Sequence, residues 1–356
     1  MRVFFDVQHL YYLPQYLPVY DELTKRGVDC KFILHRETHL NDILSVFVKS
    51  HQLSYLWAND KKDANNIYLT EKPEWIVFGN AVDGLEKIHC ASKTALMQHG
   101  IGPKSCYYEV SNSAIMYRFV EGKHRLARLK KLFPEKVFID TGYAKLDPIV
   151  NSDKDSDFIN SFALDPNKKT ILYAPTFYPS SIEILPKNFP ELLKKYNIII
   201  KAHFFSLVKN KYKAQQEKIK HWKSYNNVYV CDVSEVSILP FMQHATLLIS
   251  DASSTLFEFA ALNKPAIWCD FYKLRWSYRG IFKYRFTKRL DKDLAYFGKV
   301  AAKTTNVQEL IEQVELHIHN PQLNQAARVE ICEYLVGKVD GKCSERIAHF
   351  LVTGAH

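Results

Sequence analysis

Residues 245–262 read ATLLISDASSTLFEFAAL, and this stretch carries the clearest structural signal in the chain. The apolar run at its start predicts a buried strand, and the apolar positions after residue 255 predict a helix. A strand that turns directly into a helix is the repeating unit of a parallel α/β sheet. One capping residue is enough to begin a helix, yet the junction holds an acid and three hydroxyl residues, Asp251, Ser253, Ser254 and Thr255.

Apolar runs of the same kind alternate with longer amphipathic stretches along the whole chain. They form two series, with RVFFDV, KFILH, WIVFG and KTALMQHG in the first part and TILYAPTF, NIIIKAHF, NVYVCD, TLLISD and PAIWCD in the second. Such runs are typical of parallel strands covered by helices on both faces. We therefore predict an α/β protein with two doubly wound, Rossmann-like parallel-sheet domains. Turn formers and charge at 147–158 suggest domains at 1–150 and 151–356, with the last helix packing back on the first domain.

The composition is that of an ordinary globular protein. The 356 residues are 47% hydrophobic and 24% charged, which is enough for two sizeable cores. The seven cysteines include no CxxC pair, so neither a disulfide framework nor a zinc site is expected. The first residues do not resemble a secretory signal, and no apolar run approaches the ~18 residues of a membrane span. These features favour a cytoplasmic protein.

The net charge of +10 indicates an anionic partner. The basic residues are concentrated at 117–131, YRFVEGKHRLARLKK, and at 272–289, YKLRWSYRGIFKYRFTKR. Either run is explained by a solvated surface, by a phosphorylated ligand or by an anionic membrane surface, and the aromatic residues of the second run suit the last two. The sequence contains no recognisable nucleic-acid-binding module, so nucleic acid is not an expected partner.

Polar side chains follow several of the predicted strands, where ligands bind in doubly wound sheets. A helix N-terminus at Ser253, Ser254 and Thr255 would bind an anion through its N–H groups and hydroxyls, although simple capping explains the same residues. Glu258 fits either a capping box with Thr255 or a contact to a sugar hydroxyl.

Other predicted strand ends carry further candidates. Lys201 and His203 lie on one side of an extended segment and suit a diphosphate. His99 precedes Gly100, where the backbone can approach a ligand closely, and histidine is the natural base near neutral pH. Two more strand ends add Thr176 and Asp270.

In order and spacing, these stretches resemble the bacterial CDP-glycerol glycerophosphotransferase family, which builds teichoic-acid-type and capsular polymers of the cell envelope. The resemblance covers about residues 90–350. It rests on QHG at 98, TGYAKLD at 141, ILYAPTF at 171, KAHF at 201, SDASSTLFEF at 250 and KPAIWCDFYKLRWSYRGIF at 264. KAHF departs from the family's usual Lys-Pro-His-Pro, and TGYAKLD lacks its usual Pro-Arg pair.

The resemblance implies a glycosyltransferase-B (GT-B) type fold, in which two domains face a cleft. The N-terminal domain, 1–150, would be on the acceptor side, and the C-terminal domain, 151–356, would hold a CDP-linked donor. His99 would be the base on the acceptor hydroxyl, and His203 would meet the donor's pyrophosphate. Gly100, Thr176, Lys201, Asp251, Ser253, Ser254, Thr255, Glu258, Asp270 and Arg279 would be the substrate-binding residues. The acceptor would be a cell-surface polysaccharide or a lipid-linked glycan, reached in the cytoplasm or at the inner face of the membrane.

Three functions stay open at this point. The first is transfer of a polyol phosphate from a CDP-linked donor, and the second is a glycosyltransferase that uses a nucleotide sugar on the same scaffold. The third is a non-catalytic nucleotide-binding scaffold, which would need neither histidine. A nucleotide-sugar 2-epimerase is disfavoured because no matching set of acidic and basic residues is present. Fixed cations and N–H donors can replace a metal, so we expect no metal and no cofactor.

Overall fold

The computed structural model of the chain describes residues 1–37, 40–98, 100–101, 105–155, 157–274 and 291–355. The strands are β1 (Arg2–Val7), β2 (Asp29–His35), β3 (Tyr55–Ala58), β4 (Trp75–Phe78), β5 (Lys93–Met97), β6 (Tyr117–Val120), β7 (Val137–Asp140), β8 (Thr170–Ala174), β9 (Asn197–Ile200), β10 (Val228–Val230), β11 (Leu247–Ser250), β12 (Ala266–Cys269) and β13 (Ala302–Thr304). The helices are α1 (Leu13–Lys25), α2 (Asn41–Ser50), α3 (Lys61–Glu71), α4 (Cys106–Glu109), α5 (Gly122–Leu132), α6 (Asp147–Asn151), α7 (Phe189–Leu192), α8 (Phe204–Val208), α9 (Lys213–Trp222), α10 (Leu239–His244), α11 (Ser254–Ala261), α12 (Phe297–Val300), α13 (Val307–His319), α14 (Gln325–Val336) and α15 (Cys343–Thr353).

The strands form two sheets in which every described pairing is parallel. The first sheet has the order β3-β2-β1-β4-β5-β6-β7, and the second has the order β10-β9-β8-β11-β12-β13. In each sheet the strand order reverses once, between β1 and β4 and between β8 and β11. The predicted pair of doubly wound parallel sheets is therefore confirmed.

Burial explains why the strands read as continuous apolar runs. Every residue of β8, β9 and β11 is buried, because helices cover both faces of the sheet. The core of the second sheet is built around Tyr173, Phe189 and Trp222, none of which is exposed. Burial of each such side chain contributes about 1.5–3 kcal/mol.

The chain divides into two compact units. The first comprises Met1–Ile101, Cys106–Asn151 and Tyr334–His356, and the second comprises Gly102–Ser105 and Ser152–Glu333. None of the helices in the described ranges combines the length and the apolar composition that a bilayer-spanning segment needs.

The segment 334–356 packs tightly within the first unit. The Phe350 ring lies 5.9 Å from that of Trp75 and 5.3 Å from that of Tyr117. Gly122 has a φ of +71°, and a Cβ there would lie 2.6 Å from the backbone of Leu335. Only glycine permits this approach, so α5 begins directly against the end of α14.

Candidate functional site

Most of the predicted candidates of the second unit that the structure describes lie beyond the carboxyl ends of β8, β9 and β11. Loop 175–181 follows β8, and residues 251–253 connect β11 to α11. Because β8 and β11 are the strands at which the order reverses, these two connections border the crevice where doubly wound sheets bind their ligands. We call these two connections, together with the start of α11 and the residues that follow β9, the β8/β11 edge.

The Asp251 carboxylate holds the loop after β8. Its Oδ2 accepts a hydrogen bond from the Thr176 N–H at 2.9 Å, and its Oδ1 accepts one from the Ser181 N–H at 3.0 Å. The Thr176 hydroxyl in turn donates to the Pro179 carbonyl at 2.6 Å. Burial raises the pKa of Asp251 to about 6, although these hydrogen bonds oppose the shift. Asp251 and Thr176 thus shape the loop, and their contact with a ligand stays a prediction.

The hydroxyl residues at the start of α11 divide into two kinds. Ser253 is the N-cap, and its Oγ accepts from the Thr255 N–H at 3.3 Å. The Thr255 hydroxyl lies 3.0 Å from Ser250 Oγ and 3.1 Å from Ser253 Oγ, so it belongs to an internal network. Ser254 makes no side-chain hydrogen bond to the described residues and is only half-buried. Its hydroxyl is therefore available at the positive end of the helix dipole.

Glu258 does not form the capping box that its spacing allowed. A box with Thr255 needs the helix to begin at Thr255, whereas the cap is Ser253. The Glu258 side chain is fully buried on α11, so this explanation is wrong and the contact to a sugar hydroxyl stays a prediction.

Lys201 and His203 follow β9, the neighbour of β8. The Lys201 N–H continues the sheet by donating to the Tyr173 carbonyl at 2.9 Å. Its ammonium has no hydrogen bond or ion pair with the described residues, and burial lowers its pKa. A cation held in this way gains from a bound anion, which restores the charged form.

His203 caps α8 through its ring. Nδ1 accepts from the Phe205 N–H at 3.2 Å, which places the proton of the neutral ring on Nε2. The ring also contacts Phe177 on the Asp251-held loop, with 4.7 Å between the ring centres. The loop after β8 therefore helps to fix the predicted catalytic histidine.

The remaining predicted residues are placed differently. Asp270, after β12, pairs with Lys303 at 2.7 Å, and both side chains are partly exposed. Gly100 is buried and belongs to the first unit, so it is not grouped with the residues of the β8/β11 edge. His99 and Arg279 lie outside the described residues.

Sequence reasoning missed a group of polar contacts around Gln98. Gln98 donates from Nε2 to the Tyr107 carbonyl at 2.8 Å and accepts from Arg125 Nη1 at 2.9 Å. Arg125 is buried and pairs with Glu121 at 2.7 Å, and burial raises the pKa of Glu121 to about 7. Part of the basic run 117–131 therefore faces inward. The signal was the position of Arg125 four residues before buried Leu129, on the apolar side of α5.

The β8/β11 edge offers cations and N–H donors rather than metal ligands. In the part of the chain that the structure describes, no three His, Cys, Asp or Glu side chains are close enough to hold a metal ion. The helix N-terminus, Ser254, Lys201 and His203 can neutralise a phosphate or diphosphate.

Comparison with known proteins points to one family. Residues 81–353 match the sequence model of the family described as CDP-glycerol:poly(glycerophosphate) glycerophosphotransferase. The teichoic acid glycerol-phosphate primase of Bacillus subtilis is 33% identical over 138 residues, 37% of this chain and 32% of that protein. The primase of Bacillus spizizenii is 29% identical over 160 residues, 42% of this chain and 39% of that protein. The matches thus span only 32% and 39% of the lengths of these curated relatives.

Solved structures share the fold. The wall teichoic acid polymerase TagF has a TM-score of 0.68 at 16% identity, over 99% of this chain and 88% of that one. The UDP-GlcNAc 2-epimerase of Neisseria meningitidis has a TM-score of 0.63 at 14% identity, over 99% and 100% of the two chains. At these identities the likeness shows the fold alone, and it confirms the predicted fold of the GT-B type.

Proposed function

The chain belongs to the CDP-glycerol:poly(glycerophosphate) glycerophosphotransferase family, and we propose from this that it transfers glycerol phosphate from CDP-glycerol to a hydroxyl of a cell-surface or lipid-linked glycan. The observation that carries the proposal is the extent of the family match. Residues 81–353 include the whole β8/β11 edge, with the start of α11, Lys201 and His203, which we propose bind the phosphates. The enzyme is accordingly a transferase.

The proposed reaction is an in-line displacement at phosphorus. The acceptor oxygen forms a bond to the glycerol-phosphate phosphorus, the bond to the bridging oxygen breaks, and CMP leaves. Negative charge grows on the leaving phosphate, where the N–H groups of α11 and the Ser254 hydroxyl would hold it. Lys201 and the Nε2 proton of His203 would offset the remaining charge. His99, by its place in the family motif, would take the proton of the acceptor hydroxyl.

Ser254→Ala should weaken binding of CDP-glycerol by about 5- to 150-fold. This is the effect expected when one hydrogen bond to a charged group is lost. The melting temperature should stay close to that of the wild type, because Ser254 supports no other described group. Isothermal titration and ligand-induced thermal stabilisation measure the two effects.

Ser224→Ala is the matched control for this change. Ser224 lies between α9 and β10, at the opposite end of the strands, and its hydroxyl donates to the His221 carbonyl. Its loss should not alter donor binding. Undiminished CDP-glycerol binding by Ser254→Ala would contradict the proposed donor site. Stabilisation by UDP-sugars in place of CDP-glycerol would favour the glycosyltransferase.

We also propose weak association with an anionic membrane surface. On and beside α5, Lys123, Lys130 and Lys131 are exposed, and Leu132 is 49% exposed. Exposed cations beside an apolar side chain suit an anionic lipid surface.

Lys130→Gln with Lys131→Gln should lower binding to phosphatidylglycerol vesicles by about fivefold for each lysine, at roughly 1 kcal/mol per charge. Added salt should lower wild-type binding in the same direction. Vesicle sedimentation measures both effects. The control is Lys61→Gln with Lys62→Gln, which removes two exposed neighbouring charges from α3. Salt-independent binding, or equal loss in both double variants, would contradict a specific role for α5.

A further inference from the structure

A histidine–aspartate pair lies at the carboxyl end of the first sheet, near the point where its strand order reverses. Asp6 lies near the end of β1, and His35 is the last residue of β2. His35 Nε2 and Asp6 Oδ2 are 2.8 Å apart, with 11% and 2% of the two side chains exposed. Both residues precede the family match at 81–353, so the family match does not cover this pair.

The hydrogen bonds of the pair show which ring nitrogen of His35 is the donor. The Tyr68 hydroxyl donates to the same Asp6 Oδ2 at 2.6 Å. A carboxylate only accepts, so the ring nitrogen that faces it, His35 Nε2, is the donor. When the ring is neutral, Nδ1 therefore carries the lone pair. Among the described residues Nδ1 has no hydrogen-bond partner, and 11% of the His35 side chain is exposed. A histidine held by a carboxylate in this way is prepared to accept a hydrogen bond.

The residues after β1 and β2 continue this polar surface. His9 lies 3.4 Å from the Glu37 carboxylate, and its ring stacks on that of Tyr11 with 5.2 Å between the ring centres. Imidazole and carboxylate groups bind hydroxyls, and flat rings pack against the carbon face of a polyol or sugar. The β8/β11 edge has the opposite character, with a helix N-terminus and a lysine that suit phosphate. The residues at the end of the first sheet thus suit a hydroxyl-bearing ligand, whereas those of the second sheet suit a phosphate.

The family resemblance assigns the hydroxyl-bearing acceptor, a polyol or sugar chain, to the first domain. We propose that this acceptor binds at the carboxyl end of β1 and β2, and that His35 Nδ1 accepts a hydrogen bond from one of its hydroxyls. Asp6 is the positioning residue, because it holds the proton of the ring on Nε2. This inference rests on the proposed transfer to a hydroxyl. It adds an acceptor contact that is separate from the base assigned to His99.

The test compares His35→Gln with the wild-type protein. The amide nitrogen of glutamine can replace Nε2 as donor to Asp6, whereas nothing replaces Nδ1. Binding of a synthetic tri(glycerol phosphate) with a free terminal hydroxyl should weaken by about tenfold. Binding of CDP-glycerol and the melting temperature should be unchanged. In the transfer assay the KM for the oligomer should rise while kcat is retained.

Two further variants separate positioning from folding. Asp6→Asn keeps the shape of the pair but no longer requires a proton on Nε2, so oligomer binding should fall as in His35→Gln. His51→Gln changes a surface histidine of the same unit and should have no effect. Equal oligomer binding by His35→Gln and the wild type, or none by the wild type, overturns the inference. Failure of the wild type to bind CDP-glycerol overturns the proposed function instead.

Discussion

Replacing His99 with alanine should lower the rate of transfer by about 10²–10⁴-fold and leave binding of the nucleotide donor nearly unchanged. A base that touches only the acceptor hydroxyl acts in the transition state, so its loss changes the rate. The proposed phosphate-binding residues all follow residue 170, in the second unit. Steady-state turnover and isothermal titration with CDP-glycerol measure the two effects separately.

His203→Ala is the informative companion, because its ring is proposed to contact the diphosphate both before and during departure. This variant should lose binding and rate together. Full turnover in His99→Ala with collapsed donor binding would reverse the two assignments. A lowered melting temperature with normal activity per folded molecule would make His99 a structural turn residue. Transfer that is insensitive to both changes would favour the scaffold.

Asp251→Ala should lower the free energy of unfolding by about 2–5 kcal/mol at pH 5, because the buried Ser181 N–H and the part-buried Thr176 N–H lose their acceptor. It should also change the pH dependence. The folded pKa of about 6 lies above the ordinary value of 3.8, so the folded protein binds more protons between these values. The contribution of Asp251 to stability therefore falls as the pH rises from 4 to 6, by roughly 3 kcal/mol.

The variant should lose this part of the pH dependence, which urea unfolding at a series of pH values would show. Asp270→Ala is the control, since its partly exposed ion pair with Lys303 contributes less than about 1 kcal/mol. Equal destabilisation by the two substitutions, or an unchanged pH slope in Asp251→Ala, would contradict the role of Asp251 in the loop. Donor binding should weaken as well, because the loop carries Phe177 against His203.

The local pattern of apolar and polar residues is sufficient to predict the fold. Residues 245–262 encode a buried strand and a helix in adjacent positions, and the structure places β11 and α11 there. The roles within the junction were not visible, because they depend on sheet register. Ser250 lies opposite Ala174, which brings Asp251 to a loop whose bonded residues are 70 and 75 positions away in sequence. No spacing rule encodes that partner.

The same reason explains the residues that were missed. Asp6 and His35 are 29 positions apart, and they meet because β1 and β2 are paired with Asp6 opposite Ile33. The basic run predicted Arg125 to be a surface residue. Its charge alone does not show that it is buried and bound to Glu121 and Gln98. Motifs of neighbouring residues can be recognised in a sequence. Contacts between strands can be predicted only when the strand order and register are known.

The place of residues 334–356 in the first unit has a consequence for synthesis on the ribosome. Phe350 lies among Trp75, Tyr117 and Phe119, and Ser344 donates two hydrogen bonds of 2.6 Å to Asp147. The first unit cannot close this core until these residues emerge, whereas almost all of the second unit is complete by residue 333. Domains usually fold in the order in which they are made. In this chain the first unit begins before the second but is completed after it. The first sheet can therefore pack against α15 only after the second unit has been synthesised.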